Sequence, residues 1–222
     1  MNGNLSLEIT NRCRLECDKC YRTELKGKMP VKDMSVQDFK KIAESKIYTN
    51  IFFGGTYGDC IYHPQFKEIL KIAKENNINL TIHSNGSGKK LEWWREVFEI
   101  LDSKKDGINI AMDGYKETSG MYRINFKERD FDKNIEMMSV AANEYKLRTV
   151  WTFIPMKFNE HQIPDAAKLA VENNIIFCLK KSNRWNKWDD PKLPTNLKLI
   201  SAHSSIFLIY QNNNKKGAPK RS

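Results

Sequence analysis

Alternation between short β-branched or aromatic runs and amphipathic helical stretches is the feature that most restricts the fold of this chain. The runs fall at 5–10, 50–54, 79–83, 108–112, 149–154 and 175–180. Several are continuous rather than alternating in polarity, as expected of strands covered on both faces. Between them, helical periodicity occupies about 35–46, 64–76, 89–101, 131–145 and 159–172. Ser35 stands as an N-cap before Val36, Phe39, Ile42 and Ala43, and Pro64 opens a stretch that puts Phe66, Ile69, Leu70 and Ala73 on one face. Repeated strand–helix alternation implies parallel strands joined by right-handed crossovers. The class is therefore α/β, either a doubly wound open sheet or a (β/α) barrel of fewer than eight units. Both build their sites beyond the carboxyl ends of the strands.

Those ends carry the unusual residues. Three cysteines follow the first strand, a glycine-rich segment at 54–59 follows the second, Ser84-Asn85-Gly86 the third and Asp113-Gly114 the fourth. No G-x-G-x-x-G follows the first strand, which disfavours a nicotinamide or flavin site of the Rossmann type. With 222 residues the chain can bury one sizeable core. No apolar run is long enough to span a membrane, and residues 1–9 lack the basic and apolar regions of a secretory signal. The expectation is a cytoplasmic protein.

The segment Thr10-Asn11-Arg12-Cys13-Arg14-Leu15-Glu16-Cys17-Asp18-Lys19-Cys20-Tyr21 spaces its cysteines C-x3-C-x2-C. Five cysteines in all, three within eight residues, do not make a disulfide framework, which spaces cysteines in pairs along the chain. Thiolates suit iron–sulfur clusters, and a compact loop can offer three sulfurs to three corners of a cubane, leaving one iron open. A structural zinc site is the alternative; it needs a fourth ligand from afar, such as Cys60 or a histidine. Three chance core cysteines fit poorly with Arg12, Arg14, Glu16, Asp18 and Lys19 around them.

With this spacing just after a first strand, the segment resembles the signature of the radical S-adenosylmethionine (SAM) superfamily, over about residues 5–181. The resemblance implies a partial (β/α)6 TIM-like barrel of parallel strands, here residues 1–185, followed by a segment 186–210 packing near it and a disordered basic tail 211–222. It implies a [4Fe-4S] cluster on Cys13, Cys17 and Cys20, with SAM on the open iron. The residue before the third cysteine is often aromatic in that family; here it is Lys19, and Tyr21 is a substitute cover for the adenine. The family's Gly-Gly-Glu-Pro-like segment, which meets the SAM amino group, can be placed in two ways. Either Gly54-Gly55 are its glycines and Thr56 replaces the acid, or Gly58-Asp59-Cys60 occupy the Gly-Glu-Pro places and His63-Pro64 falls where the family often has His-Pro. A carboxylate best accepts from an ammonium, which favours the second, while a βα turn capped by Asp59 is the structural alternative. Gly55 and Gly58 would let backbone approach the cofactor. Ser84, Asn85 and Asp113 resemble the polar residues that reach SAM's carboxylate and ribose, although any βα turn favours such residues.

The activity implied is reductive cleavage of SAM to a 5′-deoxyadenosyl radical that takes hydrogen from a small-molecule, peptide or nucleotide substrate. The electron would come from an external donor such as flavodoxin or ferredoxin. Lys180, Lys181 and Arg184 could meet an anionic substrate, or be solvated charge. Trp151, Phe153 and Cys178 read as core, and His83 at a strand end is the histidine of interest. The competing readings are a zinc- or cluster-stabilised nucleic-acid-binding protein and a homologue that keeps the cluster without activity. A net charge of +10 fits nucleic acid, but Lys215, Lys216, Lys220 and Arg221 crowd the tail and no patterned basic helix supports it.

Overall fold

The computed structural model describes residues 3–180, 182 and 192–196, with the backbone of 206–210. Six parallel strands run in sequence order through one sheet. They are β1 (Gly3–Leu7), β2 (Tyr48–Phe53), β3 (Asn79–Ser84), β4 (Gly107–Ala111), β5 (Arg148–Phe153) and β6 (Ile176–Lys180). Strand β7 (Ile206–Tyr210) returns antiparallel along β6. A doubly wound sheet reverses its strand order at a switch point. Strictly sequential order with right-handed crossovers instead places every helix on one face and curls the sheet around the other. β1 and β7 are not paired, so the result is a partial barrel, open along one side.

The α-helices are α1 (Tyr21–Glu24), α2 (Val36–Glu44), α3 (Phe66–Glu75), α4 (Leu91–Ile100), α5 (Ser119–Tyr122), α6 (Glu128–Asn143) and α7 (Ile163–Glu172); α2, α3, α4, α6 and α7 fall where the periodicity predicts helix, with shifted ends, while the short α1 and α5 have no counterpart in it. Ser35 caps α2, its Oγ accepting from the Asp38 amide at 3.0 Å. The core lies between helices and sheet. Phe39, Phe66, Trp94 and Phe131 meet Ile51, Phe53, Ile82, Ile110, Trp151 and Phe177, all essentially without exposure. Trp151 and Phe153 are core, as the sequence suggests, and Cys178 is buried.

Continuous apolar runs predict two covered faces, yet β1 to β3 carry exposed or half-buried positions between their inner ones and β5 alone is buried almost throughout. The inward face of the first three strands carries a polar ladder: Asn79 Nδ2 donates to Asn50 Oδ1 and Asn50 Nδ2 to Asn4 Oδ1, each at 2.9 Å. A barrel left open keeps water in its lumen, so those positions need not be apolar. The first strand also ends earlier than 10, because Thr10 turns to pair with Asp33. The segment 197–210, undecided between helix and strand, contributes β7 to the sheet; Lys181, Arg184, residues 197–205 and the tail 211–222 lie outside the described residues.

Candidate functional site

The cysteine loop leaves β1 and is pinned from three sides. Leu15, between Cys13 and Cys17, is buried in the core and anchors the loop. The Glu16 and Asp18 amides donate to the carbonyls of Ile124 and Tyr122, at 3.0 and 3.1 Å, which ties the loop to the end of α5. The Asp59 amide donates to Arg12 O at 2.8 Å. Gly58 makes that approach possible: a Cβ there would stand 2.7 Å from Asn11 Cα and closer still to Thr10 O. Its lack of a side chain serves the neighbouring backbone of this chain. Lys19 adopts φ 56°, the left-handed conformation that closes the turn in which the Cys20 amide donates to Cys17 O.

Cys13, Cys17 and Cys20 all line one cavity of about 310 Å³ at the carboxyl end of the strands. This volume is at the low end of the range for ligand sites. All three are free thiols of intermediate exposure. Leu15 N and Asn85 Nδ2 donate to Cys13 Sγ, at 3.4 and 3.5 Å, and Cys20 Sγ lies 3.9 Å from Thr56 O. Burial first, then the Asp59 carboxylate, pushes the Cys13 thiol up to about 12. Among the described residues no three His, Cys, Asp or Glu side chains converge as ligands of a single metal ion. A cubane puts each thiolate on a different iron and so asks for three sulfurs around one space rather than at one point. The donor set around this cavity fits that demand.

The structure brings Gly55, Gly58, Asp59, Ser84 and Asn85 to the same cavity. Asp59 is buried and its carboxylate is largely occupied by the protein. Oδ2 accepts from Ser84 Oγ at 3.1 Å, from the Asn85 amide at 2.7 Å and from Asn85 Nδ2 at 2.5 Å, while Oδ1 accepts from the Ile61 amide at 3.3 Å. Desolvation raises its pKa and these donors oppose the rise. Asp59 thereby holds Asn85, which in turn reaches Cys13. Replacing it with alanine would leave these buried donors without their acceptor. Asp59→Ala is expected to lose about 3 kcal/mol of stability, read by urea denaturation.

Two expected residues are placed elsewhere. Asp113 is fully buried behind the cavity wall, with Oδ1 accepting from the Ile154 amide at 2.8 Å and Oδ2 paired to Arg123 Nη2 at 2.7 Å. Tyr21 is 51% exposed and sits beside Tyr57, ring centroids 6.1 Å apart, away from the cavity lining. A strand-end aspartate and an aromatic beside a ligand cysteine carry no sequence mark of where they point; the ion pair and the turn after Cys20 decide it.

Sequence reasoning missed Arg22, Arg123 and Glu8. Arg22 and Arg123 line the cavity. Burial works against the Arg123 charge, but Asp113 and then Cys17 outweigh it and hold the guanidinium protonated. Glu8 accepts from the Thr56 and Tyr57 amides, at 3.0 and 2.8 Å, and so shapes the 54–58 turn. Its place two residues beyond Ser6, on the same face at period two, was the available signal.

His83 also lines the cavity, 4.2 Å from the Phe52 ring. Burial, with Lys180 and Arg148 facing it, pulls its pKa down to about 4. The unfolded chain titrates it near 6.5. Between these values the unfolded state holds a proton that the folded state excludes, so this group costs stability as pH falls from 6.5 towards 4. His83→Asn is expected to lose roughly 2 kcal/mol less than the parent between pH 7 and 4.5 in urea titrations. His63, by contrast, is structural, with Nε2 on Met34 O at 2.8 Å and Nδ1 accepting from the Gln65 amide.

Comparison with known proteins agrees with this geometry. The chain is 31% identical over 101 residues to the tungsten-containing aldehyde ferredoxin oxidoreductase cofactor-modifying protein of Pyrococcus furiosus, covering 43% of the chain and 27% of that protein. It is 27% identical over 123 residues to the sporulation killing factor maturation protein SkfB of Bacillus subtilis, covering 53% and 28%. The chain thus spans about a quarter of the length of these curated relatives. Among solved structures it is similar to Streptococcus suis SuiB bound to S-adenosylmethionine, with TM-score 0.66 and 16% identity, over 88% of the chain and 44% of SuiB. SuiB bound to its precursor peptide SuiA matches at TM-score 0.63 and 18% identity, over 82% and 39%. The family profile described as Radical SAM superfamily matches residues 7–170, and on that extent the chain belongs to the radical SAM superfamily.

Proposed function

We propose that this chain carries a [4Fe-4S] cluster on Cys13, Cys17 and Cys20 and uses it to cleave SAM reductively, initiating hydrogen abstraction from a substrate. The observation that carries the reading is the C-x3-C-x2-C trio lining one cavity at the carboxyl end of six sequential parallel strands. Once bound, the cluster and SAM would supply a one-electron cleavage that yields methionine and a 5′-deoxyadenosyl radical.

The protein's own part is placement. The thiols must lose their protons to ligate iron, which burial opposes at Cys13 and which the Asn85 and Leu15 N–H donors favour. Arg123, buried beside Cys17, favours that thiolate in the same way. Asp59 acts as a positioning residue through Asn85. Gly54, Gly55 and Thr56 border the cavity, and the backbone carbonyls of this turn are our acceptors for SAM's amino group. Ser6, His83, Thr152 and Lys180 reach the cavity from the strands and form a polar wall for a substrate. SuiB, a structural relative, is known with a precursor peptide, which makes a peptide the first substrate class to assay. Among the described residues no helix is long and apolar enough to cross a membrane.

Anaerobic reconstitution tests the proposal. Iron, sulfide and zinc are measured, and 5′-deoxyadenosine is assayed after reduction with dithionite. About four irons per chain and SAM cleavage are expected. Stoichiometric zinc in place of iron, or an intact cluster that leaves SAM uncleaved, overturns it.

A further inference from the structure

The strands that wall the lumen carry charge of one sign. β1 to β6 contain no Asp or Glu, and their Lys and Arg residues are Lys180 and Arg148. Side chains alternate between the two faces of a strand. Trp151 and Phe153 pack into the core against the helices, which turns Arg148 and Thr152 inward; Phe177 and Leu179 do the same for Cys178 and Lys180. Lys180 and Thr152 line the cavity at the carboxyl ends of the strands, while Arg148 stands at the amino end of β5. Both cations act across this space on His83, where burial first and then Lys180 and Arg148 keep the imidazole neutral. Both also act on the Cys178 thiol.

Among the described residues no carboxylate offsets this charge. The acid in the cavity lining is Asp59, and Ser84, Asn85 and the Ile61 amide occupy it. Glu8, just past β1, accepts from the Thr56 and Tyr57 amides. The cations at the cavity mouth are engaged as well, Arg123 with Asp113 at 2.7 Å and Arg22 with Leu15 O. Lys180 and Arg148 form no ion pair with a described residue. Like charges facing one space repel unless an anion lies between them. Phe52, Ala111 and Ile154 add apolar surface to the same cavity.

We propose that the substrate of this chain presents a carboxylate, which Lys180 binds inside the lumen while Arg148 adds attraction from the amino end of β5. The inference rests on the function proposed above and names the substrate class of that same cavity. Lys180 Nζ gives the carboxylate charge-assisted hydrogen bonds, and Phe52, Ala111 and Ile154 receive the carbon chain that bears it. A phosphate is the other anion a cationic lumen suggests. Phosphate sites draw on free backbone amides at a helix N-terminus or a nest. Here the amides of β5 and β6 are committed to the parallel ladder, which leaves a lysine and a few side chains, the donor set of a monoanion. A peptide would supply the carboxylate from an Asp or Glu side chain or from its C-terminus.

The test is equilibrium dialysis of radiolabelled probes against reconstituted holoprotein with SAM bound, under anaerobic conditions. N-acetylglutamate α-amide carries a side-chain carboxylate, N-acetylglutamine a terminal one, and N-acetylglutamine α-amide neither; inorganic phosphate is the fourth probe. At least one of the two acids should bind about tenfold more tightly than the neutral amide, and the one preferred tells a side-chain from a terminal carboxylate. Lys180→Gln should abolish the preference and Lys180→Arg should retain it. Arg148→Gln, further from the bound group, should reduce it about threefold. Equal binding of acids and neutral amide by the parent overturns the proposal, as does a preference that survives Lys180→Gln, or phosphate bound more tightly than either acid. Formation of 5′-deoxyadenosine by the parent with dithionite and no probe reads the underlying function separately. Its absence would refute that function, whereas the dialysis alone decides the carboxylate site.

Discussion

Cys17→Ala is expected to yield a folded protein that reconstitutes without an intact [4Fe-4S] cluster and forms no detectable 5′-deoxyadenosine from SAM. Cys17 is the central thiolate of the trio. It follows the buried Leu15 anchor, lines the cavity and lies close enough to the Arg123 guanidinium to raise its pKa. With two thiolates left, two corners of a cubane would lack protein ligands. Because Cys17 is only partly buried and outside the fully packed core, its removal should cost little fold stability. The contrast is what the measurement reads: unchanged far-ultraviolet circular dichroism and Tm in the metal-free protein, beside absent cluster absorbance and absent cleavage. A variant that still assembled four irons and cleaved SAM would remove Cys17 from the ligand set.

Arg123→Met is expected to produce the largest loss of stability of any single change discussed, about 3 to 5 kcal/mol. Asp113 is fully buried, its side chain 0% exposed, and its partner Arg123 is 12% exposed. Removing the guanidinium leaves a carboxylate in a low-dielectric site, where Oδ1 still accepts from the Ile154 amide at 2.8 Å. Such a group must either keep an uncompensated charge or take up a proton, and both are costly. For a chain of this size the loss corresponds to a fall in Tm of roughly 10 °C. A double variant, Asp113→Leu/Arg123→Met, removes both charges and should recover a substantial part of the stability, as an apolar pair of similar volume often matches a buried ion pair. A single variant as stable as the parent would show that the pair contributes nothing. Because Arg123 also faces Cys17, cluster assembly in the single variant should slow even where folding is rescued by low temperature.

These two residues illustrate what could and could not be read along the chain. Cys17 was legible because three thiolates at fixed spacing in a polar loop have few structural uses. Arg123 was not, because a single arginine after a four-residue helix has no periodicity or motif to mark it; only the return of the loop from α5 against Asp113 gives it a role. The same holds for Glu8, whose hydrogen bonds reach 48 and 49 residues along the chain. For Asp59 the sequence suggested a carboxylate aimed at a ligand, and folding directs it largely to Ser84, Asn85 and Ile61.

The sequence by itself determined the α/β class, the number of parallel units and the cysteine trio, because strand and helix periodicity and thiolate spacing are local properties. It left a doubly wound sheet and a partial barrel both open. Tertiary structure decided between them through strand order, since a sheet whose strands add always on the same side must curl towards one face. That curl brings strand ends far apart in sequence around a single cavity, and it leaves the lumen polar where a flat sheet would have covered it. Which strand-end residues face the cavity and which turn back into the wall was settled by buried charge. Asp113 and Arg123 satisfy each other, and a buried charge with a partner inside the protein is no longer available to a ligand.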